Sequence, residues 1–126
     1  MIASRGLNHI NLNVRDLQRS LRFYREAFGL EVKFWSGTEM VFLGSPGARD
    51  VITLGQAAKD EPIGNAGVSH FGFGFDGLGD ATTLDDAVRQ VERAGGQLLS
   101  RGEHAPGVPF AFFADPDGYV IEIGSA

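Results

Sequence analysis

The 126-residue sequence predicts an α+β domain made of two successive β-α-β-β-β units. Three observations carry that reading. The segment Gly6-Leu7-Asn8-His9-Ile10-Asn11-Leu12-Asn13-Val14 returns as Gly67-Val68-Ser69-His70-Phe71-Gly72-Phe73-Gly74-Phe75, with one histidine at the same place in each copy. The helix-like stretches that follow also align: Leu17 with Leu84, Leu21 with Val88, Ala27 with Ala94, and Gly29 with Gly96. So do the closing strands, Ile52-Thr53-Leu54-Gly55 with Ile121-Glu122-Ile123-Gly124.

Each element has a local reason. In the first strand Ile10, Leu12 and Val14 alternate with His9, Asn11 and Asn13, the period of a sheet with one apolar face. In the second copy Phe71, Phe73 and Phe75 take the apolar face, and His70, Gly72 and Gly74 take the other. A helix is expected over about 16–28, with Asp16 as its N-cap and Leu17, Leu21, Tyr24 and Phe28 on one face. Gly29 is placed to end it in the left-handed conformation. A second helix is expected over about 84–94, closed by Gly95-Gly96, with 77–83 read as an inserted loop. Short strands follow at about 31–36, 39–43 and 50–54, and again at about 97–99, 110–113 and 119–123. Ser45-Pro46-Gly47 and Asp115-Pro116-Asp117-Gly118 supply the matching tight turns. The reading is one domain over 1–126, with module one at about 5–56 and module two at about 66–125.

Composition narrows the function. A net charge of −5 argues against a nucleic-acid partner, because phosphate binding needs clustered Lys and Arg. No apolar run approaches the roughly 20 residues of a membrane span. The first residues, Met1-Ile2-Ala3-Ser4-Arg5, lack a secretory apolar region, so a cytoplasmic protein is expected. The absence of cysteine removes disulfides, thiolate metal sites and cysteine nucleophiles. Ten phenylalanines point to an aromatic-lined interior or pocket.

The repeat defines four equivalent inward positions: His9, Thr53, His70 and Glu122. His9, His70 and Glu122 are the candidate metal ligands. Two neutral imidazoles and one carboxylate suit iron, manganese, nickel, cobalt or zinc as divalent ions, and three protein ligands leave room for substrate. Asn11, Thr53, Trp35, Phe110 and Phe112 are the candidate substrate contacts, with Phe34, Met40 and Phe42 as further apolar candidates. Glu122 and His104 are the candidate catalytic groups. His104 lies in Glu103-His104-Ala105-Pro106-Gly107, read as a mobile loop before the seventh strand, where a solvated histidine is the simpler assignment.

The residues that carry a family resemblance are Gly6-Leu7-Asn8-His9, Val14-Arg15-Asp16-Leu17, Ser20, Phe23-Tyr24, Phe28-Gly29-Leu30, Ser69-His70-Phe71-Gly72-Phe73, and the run from Phe113 through Asp115-Pro116-Asp117-Gly118-Tyr119 to Glu122. With them the chain resembles the vicinal oxygen chelate superfamily, which includes glyoxalase I, bleomycin-resistance proteins, fosfomycin-resistance enzymes and extradiol dioxygenases. The resemblance implies paired β-α-β-β-β modules forming a cupped sheet around a divalent metal. It also implies a homodimer whose metal site is shared, with His9 of one chain beside His70 and Glu122 of the other. The implied function is a metal-dependent enzyme acting on a small oxygenated molecule, by dioxygenase chemistry or fosfomycin-type transfer, with a lyase or isomerase still open. The alternative is a metal-free protein that sequesters a small molecule, as bleomycin-resistance proteins do. Three departures matter. Glyoxalase I usually has a glutamate where Thr53 stands, fosfomycin-resistance enzymes have a threonine where Asn11 stands, and Phe112 replaces the usual tyrosine of the extradiol dioxygenases.

Overall fold

Two four-stranded mixed sheets repeat one topology. The first module contains β1 (Ile10–Val14), α1 (Leu17–Phe28), β2 (Glu31–Ser36), β3 (Met40–Gly44) and β4 (Ile52–Gln56). The second contains β5 (Phe71–Phe75), α2 (Ala81–Arg93), β6 (Gln97–Ala105), β7 (Val108–Ala114) and β8 (Val120–Ser125). The computed structural model describes residues 1–125. Strand order is β1-β4-β3-β2 in one sheet and β5-β8-β7-β6 in the other. In each, the first strand pairs parallel with the last, and the remaining pairs are antiparallel.

The helices form for reasons visible in their ends and stripes. Asp16 accepts the N–H of Arg19 at 3.0 Å, a cap of the kind that contributes about 1 kcal/mol. Gly29 ends α1 at φ 68°, where a side chain would be strained. Leu17, Leu21, Phe23, Tyr24 and Phe28 are buried. The second helix starts earlier than its apolar pattern indicates, at Ala81. Asp80 and Thr83 form a reciprocal capping box, so what reads as loop is the first turn of α2. Leu84, Val88 and Val91 are its buried stripe.

One core serves both modules. The helices pack on each other, α1 also against β4, and α2 against β6 and β7. Phe28 of α1 stacks on Phe73 of β5, with ring centroids 4.8 Å apart. Alternation then leaves the second face of each sheet free. In β8, Ile121 and Ile123 are buried while Glu122 points the other way.

The Asp115–Gly118 turn joins the modules through hydrogen bonds. The Tyr24 hydroxyl donates to Asp115 Oδ2 at 2.7 Å, and the Tyr119 hydroxyl donates to the Asn13 carbonyl at 2.7 Å. Asp117 accepts the backbone N–H of Arg15 at 3.1 Å and the Arg19 guanidinium at 2.7 Å. Burial pushes the Asp115 carboxyl up, against the hydrogen bonds it accepts from Tyr24 and from the N–H groups of Tyr119 and Asp117. Burial first, and then the neighbouring Asp115 carboxylate, push the Tyr24 phenol well above its ordinary range. Among the described residues, no helix is long and apolar enough to cross a membrane.

Candidate functional site

Register places the repeat-equivalent residues as the alignment expects. Asn11 pairs with Thr53, and Gly72 pairs with Glu122. On the first sheet, Phe42 lies opposite Thr53 and Phe34 opposite Phe42. The Phe34 and Phe42 rings stack at 4.2 Å. On the second sheet, Phe112 lies opposite Glu122 and Phe110 opposite Gly124. Each free face is therefore a short polar strip bordered by phenylalanine.

The two faces differ in chemistry. On the first, the Thr53 hydroxyl donates to Asn11 Oδ1 at 2.6 Å, and Asn11 Nδ2 donates to Asn13 Oδ1 at 3.0 Å. Thr53 is thus committed to a neighbouring amide. On the second, Glu122 has no such amide beside it, because Gly72 takes the place of Asn11. A Cβ added at Gly72 would lie 3.0 Å from the Glu122 carbonyl oxygen and 3.3 Å from its Cβ, so glycine keeps this position clear.

His70 sits one residue before β5, with Nε2 3.4 Å from Glu122 Oε2. Its ring meets Phe112 edge-on at 4.8 Å, and its Nδ1 is 3.0 Å from Ser69 Oγ. His9 has the same arrangement: its Nδ1 is 2.9 Å from Asn8 Oδ1. An amide oxygen accepts, so in this contact His9 donates from Nδ1. The Ser69 hydroxyl can donate or accept, so this contact leaves either nitrogen of His70 able to carry the proton. Asn8 and Ser69 were missed in the sequence as partners of the histidines. The signal was a hydrogen-bonding residue directly before each repeated histidine.

His104 is not in a loop. β6 runs on to Ala105, and a bulge between Glu103 and Ala105 sets His104 out of the regular ladder. Its ring stacks on Phe110 at 4.2 Å, and its Nε2 is 2.6 Å from Glu122 Oε1. Trp35 also needs correction. It pairs with Val41, which is fully buried, so it shares the helix-side face and not the face of Thr53 and Phe42. The cause is a bulge between Val32 and Phe34, which shifts the alternation of β2.

His9 makes no hydrogen bond or ion pair with the other two expected ligands among the described residues. It lines a cavity of about 410 Å³ with Leu7, Ile52 and Phe71. Glu122 and His104 line a second cavity of about 260 Å³, which shares Gly72, Phe73 and Gly74 of β5 with the first. Among the described residues of one chain, no three His, Cys, Asp or Glu side chains form a complete metal centre.

Comparison with known proteins agrees with this architecture. A family model described as the glyoxalase/bleomycin resistance protein/dioxygenase superfamily matches residues 6–123. The chain belongs to this superfamily. A protein of Vibrio cholerae serotype O1 named "Probable lactoylglutathione lyase" is 32% identical over 125 residues, covering 91% of this chain and 86% of that protein. A protein of the same name from Vibrio parahaemolyticus is 31% identical over 127 residues, with the same coverage. Among solved structures, the fosfomycin resistance protein FosX of Listeria monocytogenes superposes with a TM-score of 0.73 at 21% identity, covering 100% of this chain and 95% of that one. A lactoylglutathione lyase from Agrobacterium tumefaciens gives a TM-score of 0.70 at 23% identity, covering 98% of this chain and 95% of that one. These two structures share the fold. Superfamily members typically use divalent metals and act on small molecules.

The donor set fits such a metal in part. Ligands that each sit about 2.0–2.2 Å from one ion lie roughly 3–3.5 Å from one another. The 3.4 Å between His70 Nε2 and Glu122 Oε2 matches that spacing. One chain thus places an imidazole and a carboxylate side by side at that spacing.

Proposed function

We propose that the protein is a metal-dependent enzyme acting on a small oxygenated molecule, with its metal held by His70 and Glu122 of one chain and His9 of a second copy. The observation that carries this is the His70–Glu122 pair at ligand spacing, with no third donor joined to it within the described residues of one chain. Exposed apolar surface supports a second copy. β2 is exposed along its whole length, with Phe34 at 54% and Trp35 at 38%, and Leu99 and Val108 are exposed as well. Iron, manganese, nickel, cobalt and zinc all accept this donor set.

Bound there, a divalent ion would act as a Lewis acid towards neighbouring oxygens of the substrate. The chain's own residues would shape the rest. Phe110 and Phe112 pack beside Glu122, and Phe34 and Phe42 beside Thr53, which suits a partly apolar substrate. The Asn11–Asn13–Thr53 chain of hydrogen bonds offers amide donors to a substrate oxygen. The Vibrio relatives' name supports a lyase reading. Thr53 sets a limit on it, because its hydroxyl cannot replace a second carboxylate as base. Dioxygenase chemistry and fosfomycin-type transfer therefore stay beside it. The facing positions named here hold no lysine or arginine, which places fosfomycin-type transfer, with its phosphonate substrate, behind the other two. A cytoplasmic location is part of the same reading, in keeping with a chain that has no cysteine.

Elemental analysis of protein purified without chelator tests this. The expected result is close to one transition-metal ion per chain, lost in both H70A and E122A. Wild-type protein that takes up no metal, yet binds small aromatic ligands, would favour the sequestering alternative.

A further inference from the structure

The two contacts of the Glu122 carboxylate are different in kind. Oε2 faces His70 Nε2 at 3.4 Å, and Oε1 meets His104 Nε2 at 2.6 Å. The second distance is too short for two donors sharing one ion, and it is that of a strong hydrogen bond to a charged acceptor. The geometry points to His104 as a positioning residue: it donates from Nε2 to Glu122 Oε1 and turns Oε2 towards His70 and the metal. This inference rests on the metal site proposed above and adds to it the group that orients its carboxylate.

His104 is delivered there by structure that the first module lacks. β6 has 9 residues where its counterpart β2 has 6, and His104 lies in the added length. The bulge at Glu103–Ala105 and the Phe110 stack at 19° between ring planes fix the imidazole over the carboxylate. The extension occurs in the module that carries Glu122. In the other module, the Thr53 hydroxyl donates to a partner on the adjacent strand, Asn11 Oδ1. Removing Asn11 at the equivalent position, where Gly72 stands, leaves the carboxylate without a neighbour on β5, and the long hairpin supplies one from β6. Outer partners of metal-binding carboxylates and histidines commonly account for about 10–100-fold in metal affinity.

The test uses cobalt(II) as probe on the full chain, with affinity read by chelator competition and coordination read from the visible absorption bands. H104F keeps a ring to stack on Phe110 but has no N–H donor. H104Q keeps an N–H donor at similar reach. The expected result is an affinity about 10–100-fold weaker for H104F, near wild type for H104Q, with unchanged band positions in both. Wild-type affinity in H104F would overturn the proposal. Equal losses in both variants with shifted bands would also overturn it, because His104 would then be a ligand itself. Failure of the underlying site looks different: H70A and E122A would bind cobalt as tightly as wild type, and the positioning role would fall with it.

Discussion

The same register position holds Thr53 in the first module and Glu122 in the second, and everything around the two residues follows from that difference. Thr53 is buried and donates its hydroxyl proton to Asn11, on a face with amides and stacked phenylalanines. Glu122 is partly open, keeps a glycine beside it, and meets two histidines. The two like positions thus have unlike surroundings, and the proposed function assigns the metal to the second face and substrate contacts to the first. The first strands still match, down to a hydrogen-bonding residue before each histidine.

The sharpest way to break this comparison is to treat the two positions alike. E122Q keeps shape and removes charge, and it is expected to weaken metal binding by more than the roughly 100-fold that outer partners reach. T53V removes a hydroxyl at nearly constant volume and is expected to leave metal affinity unchanged. Isothermal titration of both variants with zinc checks this. A comparable loss in T53V would make Thr53 a ligand and end the division between faces.

A second comparison sets the site against the bond that joins the modules. Y24F leaves the buried Asp115 carboxylate without its phenol donor and is expected to cost about 1–3 kcal/mol in urea unfolding, with metal affinity unaltered. If metal binding fell with stability, site and scaffold would not be separable in the way described.

The pH response of that junction has a definite sign. Burial raises the carboxyl of Asp115 in the folded chain, so folding takes up a proton there. The resulting stabilisation is complete below the unfolded value and is lost as pH rises through the folded one. Wild type should therefore gain stability relative to D115N as pH falls from about 7 towards about 4, seen as diverging urea midpoints. Parallel midpoints would contradict the assignment. T53V closes the series with the smallest effect on stability, about 0.5–1.5 kcal/mol for one hydrogen bond.

Much of this was legible in the sequence because periodicity decides faces. Glu122 between Ile121 and Ile123 has one possible orientation in a strand packed on helices, and the repeat then fixes Thr53 as its counterpart. Asp16 and Gly29 marked the ends of α1 by local chemistry alone. What was hidden depended on irregularity or distance. A bulge in β2 turned Trp35 to the helix side. Pro106 and Gly107 read as the end of structure, yet they close a longer hairpin that carries His104 to Glu122. The start of α2 was masked by polar residues that serve as a capping box. Asp117 looked like a turn residue, and its bonds to Arg15 and Arg19 cross about 100 residues of chain, beyond what any local pattern encodes.

A metal centre assembled from two copies can be rebuilt by mixing two defective variants. H9A lacks the imidazole from the first module, and E122A lacks the carboxylate from the second. Each alone should bind almost no metal. After subunit exchange, half of the dimers are mixed, and each mixed dimer has one intact site, so about one-quarter of wild-type metal content should return. If mixing restores none, or if H9A alone retains full metal, the site does not lie between copies and the account is wrong.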